Sequence, residues 1–85
     1  FVVNQNYPNP FNPSTVISYS IPNEAFVTVK IYNVLGQEVA TLLNDVQSAG
    51  VHKIDFNASI LSSGVYFYSV KADNYTDVKK MILMK

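Results

Sequence analysis

The chain has 85 residues, 48% of them hydrophobic and 14% charged, with six lysines against six carboxylates and no arginine. That composition suits one domain with a single core: it is too apolar for a disordered tail and lacks the basic surplus that nucleic acid demands. No cysteine is present, which excludes disulfides and thiolate metal sites, and no apolar run approaches the roughly 20 residues of a transmembrane helix.

Phe1 opens the chain with neither a starting methionine nor a basic-then-apolar leader, so the sequence is expected to be the end of a longer protein. The first distinctive stretch is Asn6-Tyr7-Pro8-Asn9-Pro10-Phe11-Asn12-Pro13-Ser14-Thr15. Its prolines fix φ near −65°, remove amide donors and push Tyr7, Asn9 and Asn12 towards extended angles. The asparagines favour turns by bonding neighbouring backbone. Neither a helix nor a central strand fits here, so residues 1–14 read as a linker and Pro-rich lead-in, and 15–85 as the folded domain.

Period-two alternation dominates after Thr15. Thr15–Ile21 sets Ile17, Tyr19 and Ile21 against Val16, Ser18 and Ser20, and Pro22-Asn23-Glu24 makes a turn. Phe26–Tyr32 points Val27, Val29 and Ile31 inward. Val34-Leu35-Gly36-Gln37 is a tight connection in which Gly36 supplies positive φ. Glu38–Leu43 is a short strand with Val39 and either Leu42 or Leu43 in the core, and Asn44–Gly50 reads as a loop. Val51–Asn57 places His52, Ile54 and Phe56 on one face. Ala58–Gly64 is a second loop, with room for one helical turn, tied down by Ile60 and Leu61. Val65–Ala72 presents Tyr66, Tyr68 and Val70 together. Asp73-Asn74 turns the chain into Thr76–Met84, where Val78, Lys80, Ile82 and Met84 oppose Lys79, Met81 and Leu83. Six or seven such strands define an all-β fold, a small antiparallel β-sandwich of immunoglobulin-like form.

Catalytic chemistry is not legible. His52 is the only histidine and falls on an apolar face, and the carboxylates lie mostly in turns or outward positions, without zinc or EF-hand spacing. A calcium ion near Asn9 or Asn12 would have to rely on bare amides, which are weak ligands. No catalytic residue, cofactor or metal is therefore expected. The final Lys79-Lys80-Met81-Ile82-Leu83-Met84-Lys85 is apolar and bracketed by lysines. It reads either as a closing strand protected by edge lysines or as a strand offered to a receptor by β-augmentation.

Five blocks in order carry a family resemblance: Asn6–Thr15; Val29–Val39 with Gly36 at its turn; Ala49-Gly50-Val51-His52; Leu61-Ser62-Ser63-Gly64-Val65-Tyr66; and Lys80–Lys85. Together they resemble the C-terminal sorting domains (type A) of the bacterial type IX secretion system. Gln37 stands where such domains often carry arginine. The resemblance implies a non-catalytic immunoglobulin-like address on a larger N-terminal cargo. It further implies transit through the periplasm, recognition by the type IX translocon, removal by a sortase-like peptidase, and an extracellular or cell-surface destination. Asn6, Tyr7, Pro8, Asn9, Pro10, Phe11, Asn12, Pro13, Gly36, Gly64, Tyr66, Lys80 and Lys85 are the implied recognition residues. The alternative is an immunoglobulin-like spacer or carbohydrate-binding accessory module, with Tyr32, Tyr66, Tyr68 and Tyr75 as stacking faces for sugars.

Overall fold

Alternating side chains produce seven strands and no helix in a computed structural model describing residues 1–85. The strands are β1 Val2–Val3, β2 Ser14–Ile21, β3 Ala25–Tyr32, β4 Glu38–Gln47, β5 Gly50–Asn57, β6 Gly64–Ala72 and β7 Tyr75–Leu83. They form two antiparallel sheets, ordered β1-β2-β5 and β4-β3-β6-β7. The expected immunoglobulin-like sandwich is therefore present. Its fourth strand lies beside the third, as in the variable-type arrangement, not beside the fifth.

The core is built by the side chains that the alternation singles out. Ile17, Tyr19 and Ile21 of β2, Val27, Val29 and Ile31 of β3, Tyr66, Tyr68 and Val70 of β6, and Met81 and Leu83 of β7 are all buried. Each fully buried aliphatic side chain contributes about 1.5–3 kcal/mol, so one closed layer between two sheets suffices for a domain of this size. Tyr19 stacks on His52 across the β2–β5 pair, with centroids 5.4 Å apart. Its buried hydroxyl has no hydrogen-bond partner, and desolvation raises its pKa. His52 is thus a packed side chain at the edge of the core, anchored by Nε2 to Ser48 O at 2.7 Å.

Four local expectations need correction. Period-two reading gives no strand before Thr15, yet Val2 and Val3 pair with Ser20 and Tyr19, and Val3 is buried. Two residues are too few to show a period. The loop expected from Asn44 is instead the second half of β4, which follows β3 as far as the Ala25–Gln47 pair. Polar Asn44 and Asp45 are tolerated because β4 is a solvated edge, and Thr28 Oγ1 bonds Asn44 Oδ1 at 3.1 Å. Register shifts at Val29/Lys30 and Ile31/Tyr32 insert Leu42 and Val39 as extra residues. Bulges break the alternation, so Val39 and Ala40, and both Leu42 and Leu43, pack partly on the core. Finally, Ala58–Gly64 holds turns without a helix, anchored by buried Ala58 and half-buried Leu61, while Ile60 is 93% exposed.

The packing predicts a sharp contrast between two aliphatic truncations. Leu83→Ala should destabilise the domain by about 2–5 kcal/mol, whereas Ile60→Ala should stay within about 0.5 kcal/mol of the parent. Urea unfolding followed by circular dichroism measures both, and equal losses would contradict this placement of the core.

Candidate recognition surface at the joined chain ends

The prolines of the lead-in leave its backbone short of donors, and side chains make up the deficit. Asn6 is buried, with Nδ2 donating to Thr15 Oγ1 at 3.0 Å and to Pro8 O at 3.2 Å, while Oδ1 accepts from Gln5 Nε2 at 2.7 Å. Thr15 Oγ1 in turn donates to Pro8 O at 2.8 Å. This closed network fixes the bend, because a buried amide left unpaired would cost about 1–3 kcal/mol. The peptide bonds before Pro8, Pro10 and Pro13 are all cis. Tyr7 exchanges two backbone bonds with Val16, at 3.0 and 2.9 Å, so its ring is held out from the sheet at 81% exposure.

Beyond Tyr7 the lead-in crosses to the other sheet and runs along β7. Gln5 Nε2 donates to Lys80 O at 2.7 Å, Asn9 Oδ1 accepts from Ile82 N at 2.9 Å, Phe11 N donates to Ile82 O at 2.9 Å, and Met84 N donates to Phe11 O at 3.0 Å. Phe11 forms a parallel bridge with Leu83 and buries its ring against Phe56, with centroids 6.3 Å apart. Pro13 O accepts from Ala58 N at 2.8 Å, and Tyr68 donates its hydroxyl to Asn4 O at 2.6 Å. The β7 edge is therefore occupied from Lys80 to Met84. β-augmentation of that stretch, one of the two readings of the terminal strand, is blocked while the lead-in is docked. Asn9, the suggested calcium contact, has its amide oxygen committed to Ile82. No three His, Asp or Glu side chains are grouped to hold a metal.

The remaining signature residues gather nearby. Gly64 starts β6 at φ +153°, and Tyr66, at the corner between β5 and β6, donates its hydroxyl back to Ser62 O at 2.7 Å. This is the tyrosine-corner bond of immunoglobulin-like domains, so burial makes Tyr66 a clamp for the loop. Lys85 ties the chain end to the same loop, its N–H to Ser63 Oγ at 3.0 Å and Nζ to Ser59 O at 2.6 Å. Gly36, at φ +80°, closes a turn in which Asn33 Oδ1 accepts from Leu35 N and Gln37 N, both at 3.0 Å. Gln37 Oε1 accepts from Asn33 Nδ2 at 2.8 Å, so Gln37 serves the turn.

Antiparallel topology brings four of the five blocks to one end of the sandwich, whereas Ala49–His52 opens β5 beside Ile21 at the other. At the first end β2 and β6 begin, β3, β5 and β7 finish, and the lead-in, the 33–37 turn, the 58–63 loop and Lys85 close it. Phe1 lies at the opposite end, stacked on Tyr75 at 5.5 Å beside the 22–24 turn. The signature end also carries exposed Tyr7, Val34, Leu35, Ile60 and Met84. Sequence reading singled out Tyr7 and set Met84 opposite Met81 and Leu83, but left Val34 and Leu35 without a direction and took Ile60 for an anchor, because an apolar residue in a turn or loop has no periodic partner to reveal its direction. Buried Tyr66 and Tyr68 remove half of the aromatic platform suggested for sugars. The surface recesses are shallow, and the widest, lined by Gln5, Tyr7, Val16, Ser18, Lys53 and Asp55, holds no nucleophile–base pair.

These features define a small β-sandwich without a legible catalytic constellation, in which the Pro-rich lead-in and the C-terminal strand are locked into one surface. The sequence profile of the secretion system C-terminal sorting domain matches residues 5–84, and the chain belongs to that family. Among solved structures, it is similar to PorZ, an essential bacterial surface component of the type-IX secretion system of human oral-microbiomic Porphyromonas gingivalis. That similarity has TM-score 0.67 and 20% identity over 98% of this chain, which spans 11% of the PorZ chain, and it is a likeness of fold. No curated protein matches the chain.

Tyr68 offers a direct test of the lead-in's attachment. Burial is the main cause that pushes its phenol up to about 12, against an ordinary value near 10. The neutral form is thus favoured by folding. Its contribution is complete below about pH 10 and is lost as the pH rises towards 12. Tyr68→Phe should lose about 1 kcal/mol at neutral pH with the Asn4 bond, and should show a shallower fall in stability between pH 10 and 12. Urea midpoints across that range measure the slope, and parallel curves for the two proteins would contradict the assignment.

Proposed function

We propose that the end of the sandwich bearing the lead-in, the 33–37 turn, the 58–63 loop and Lys85 is the face read by the type IX translocon. The domain acts as a non-catalytic address for a cargo joined before Phe1. The supporting observation is convergence: four of the five blocks, far apart in sequence, meet at one end, and Phe1 lies at the other. Tyr7, Val34, Leu35, Ile60 and Met84 supply apolar contact, and Lys80 and Lys85 steer and orient the approach. In this reading the cargo passes through the periplasm and crosses the outer membrane to the cell surface or medium. A sortase-like peptidase then cuts near the start of the domain.

Deleting Lys80–Lys85 would be an ambiguous test, since it removes buried Met81 and Leu83 as well as the partners of Phe11. Surface substitutions separate folding from recognition. In a type IX-competent bacterium, a fluorescent reporter carrying a signal peptide and this domain should reach the exterior. The Leu35→Asp/Ile60→Asp variant should stay in the periplasm with an unchanged thermal midpoint. Val46→Asp, at an exposed position near the cargo end, should be exported normally. Normal export of the double variant would refute the assigned face.

A further inference from the structure

Sheet edges present unpaired N–H and C=O groups that can template further pairing, and proteins usually cover or distort them. This chain does so at three of its four edges. The outer edge of β2 is covered by Val2–Val3, Asn4 and Tyr7, and the second half of β7, from Lys80 onward, by Gln5, Asn9 and Phe11. β4 is broken by two register shifts. β5 alone runs its eight residues in unbroken register with β2, without proline, bulge or cover.

The direction of the free groups follows from the bonding on β2. Val16 exchanges backbone bonds with Tyr7, and Ser18 O accepts from Asn4 N, so the even-numbered residues of β2 face the lead-in. Its odd-numbered residues face β5, where Thr15, Ile17 and Tyr19 are opposite Phe56, Ile54 and His52. Val51, Lys53, Asp55 and Asn57 therefore aim their N–H and C=O groups outward.

We propose that β5 is a self-association edge whose occupant is β5 of a second copy, antiparallel about a two-fold axis through Ile54. In that register Lys53 opposes the second copy's Asp55, and Val51 opposes its Asn57, each with its symmetry mate. All the outward groups then exchange bonds, about eight in total. Half-buried Ile54 meets its own copy at the axis, and His52 meets Phe56. Lys53 and Asp55 lie on the solvent face and join no ion pair within the chain, so both are available. Centring the axis on Lys53 or Asp55 instead would set like charges directly opposite, which is unfavourable. The charge pattern of a single strand thus selects one closed, isologous register.

Sedimentation equilibrium on the 85-residue chain tests this, because the two sheets enclose a complete core. A reversible dimer is expected, weakened about tenfold by Lys53→Asp and by Asp55→Lys, and restored when both substitutions are combined. Hydrogen exchange on the unsubstituted chain gives a second readout that needs no variant. The Lys53 and Asp55 amides should gain protection as concentration rises. A monomer at millimolar concentration, or a dimer indifferent to the charge exchange, would overturn the proposal. A chain that takes up only foreign extended peptides on β5 and never pairs with itself would do the same.

Discussion

The fold depends on the clasp that Phe11 makes with the end of β7. Its N–H donates to Ile82, its C=O accepts from Met84, and its ring enters the core beside Phe56. A seven-strand sandwich built from a three-stranded and a four-stranded sheet leaves the sheet edges open unless something crosses between the layers. The lead-in makes that crossing on one flank: it pairs with β2 through Tyr7 and with β7 through Phe11, bonding both sheets at once. The prolines suit the task for a specific reason. A strand added to cover an edge would normally create a new edge, but residues without N–H groups cannot offer a complete one. Pro8, Pro10 and Pro13 therefore close the flank without extending it.

This clasp also accounts for the polar residues around it. Asn6, Asn9 and Gln5 stand where backbone donors and acceptors are missing or misdirected: Gln5 donates, Asn9 accepts, and Asn6 does both. A carboxylate at Asn6 could not donate to Thr15, and an aliphatic residue at Asn9 would leave Ile82 N–H without its partner. The asparagines and prolines are thus two parts of one device, the first satisfying what the second removes. A motif that reads like a linker is built as an element of tertiary structure.

Much of the fold was legible because its signal is local. Ile17/Tyr19/Ile21 and Val27/Val29/Ile31 alternate against polar neighbours, and period two places them correctly without knowledge of their partners. What was not legible depended on partners. The bulges that bring Leu42 and Leu43 both onto the core exist only because β3 fixes the pairing. The second half of β4 is a strand because β3 extends alongside it, despite Asn44 and Asp45. At the candidate surface, the residue blocks were visible and their meeting was not. Gly36, Tyr66 and Lys85 lie far apart in the chain, and only antiparallel topology sets them at one end. Ile60 shows the limit most plainly, since hydrophobicity alone suggests an anchor, while the structure gives that part to Ala58 and Leu61.

The arrangement separates two demands that would otherwise compete. Under the proposed function, a signal attached to varied cargo must be recognisable regardless of what precedes it, so its contact face should not adjoin the junction. Here Phe1 stacks on Tyr75 at one end, and the turns and loop that close the other end project Leu35 and Ile60 into solvent. The side chains holding that far end in shape are different ones: Asn33 organises the 33–37 turn, Tyr66 clamps the 58–63 loop, and Phe11 fastens the chain terminus. In the proposed reading, contact and support therefore fall on separate residues. Apolar side chains in turns contribute little to folding, so their exposure is tolerable only where the backbone beneath is independently fixed. The tyrosine corner, the asparagine-bonded turn and the Phe11 clasp provide that fixation at the same end, which makes the exposed apolar group a property of the whole sandwich and not of any one motif.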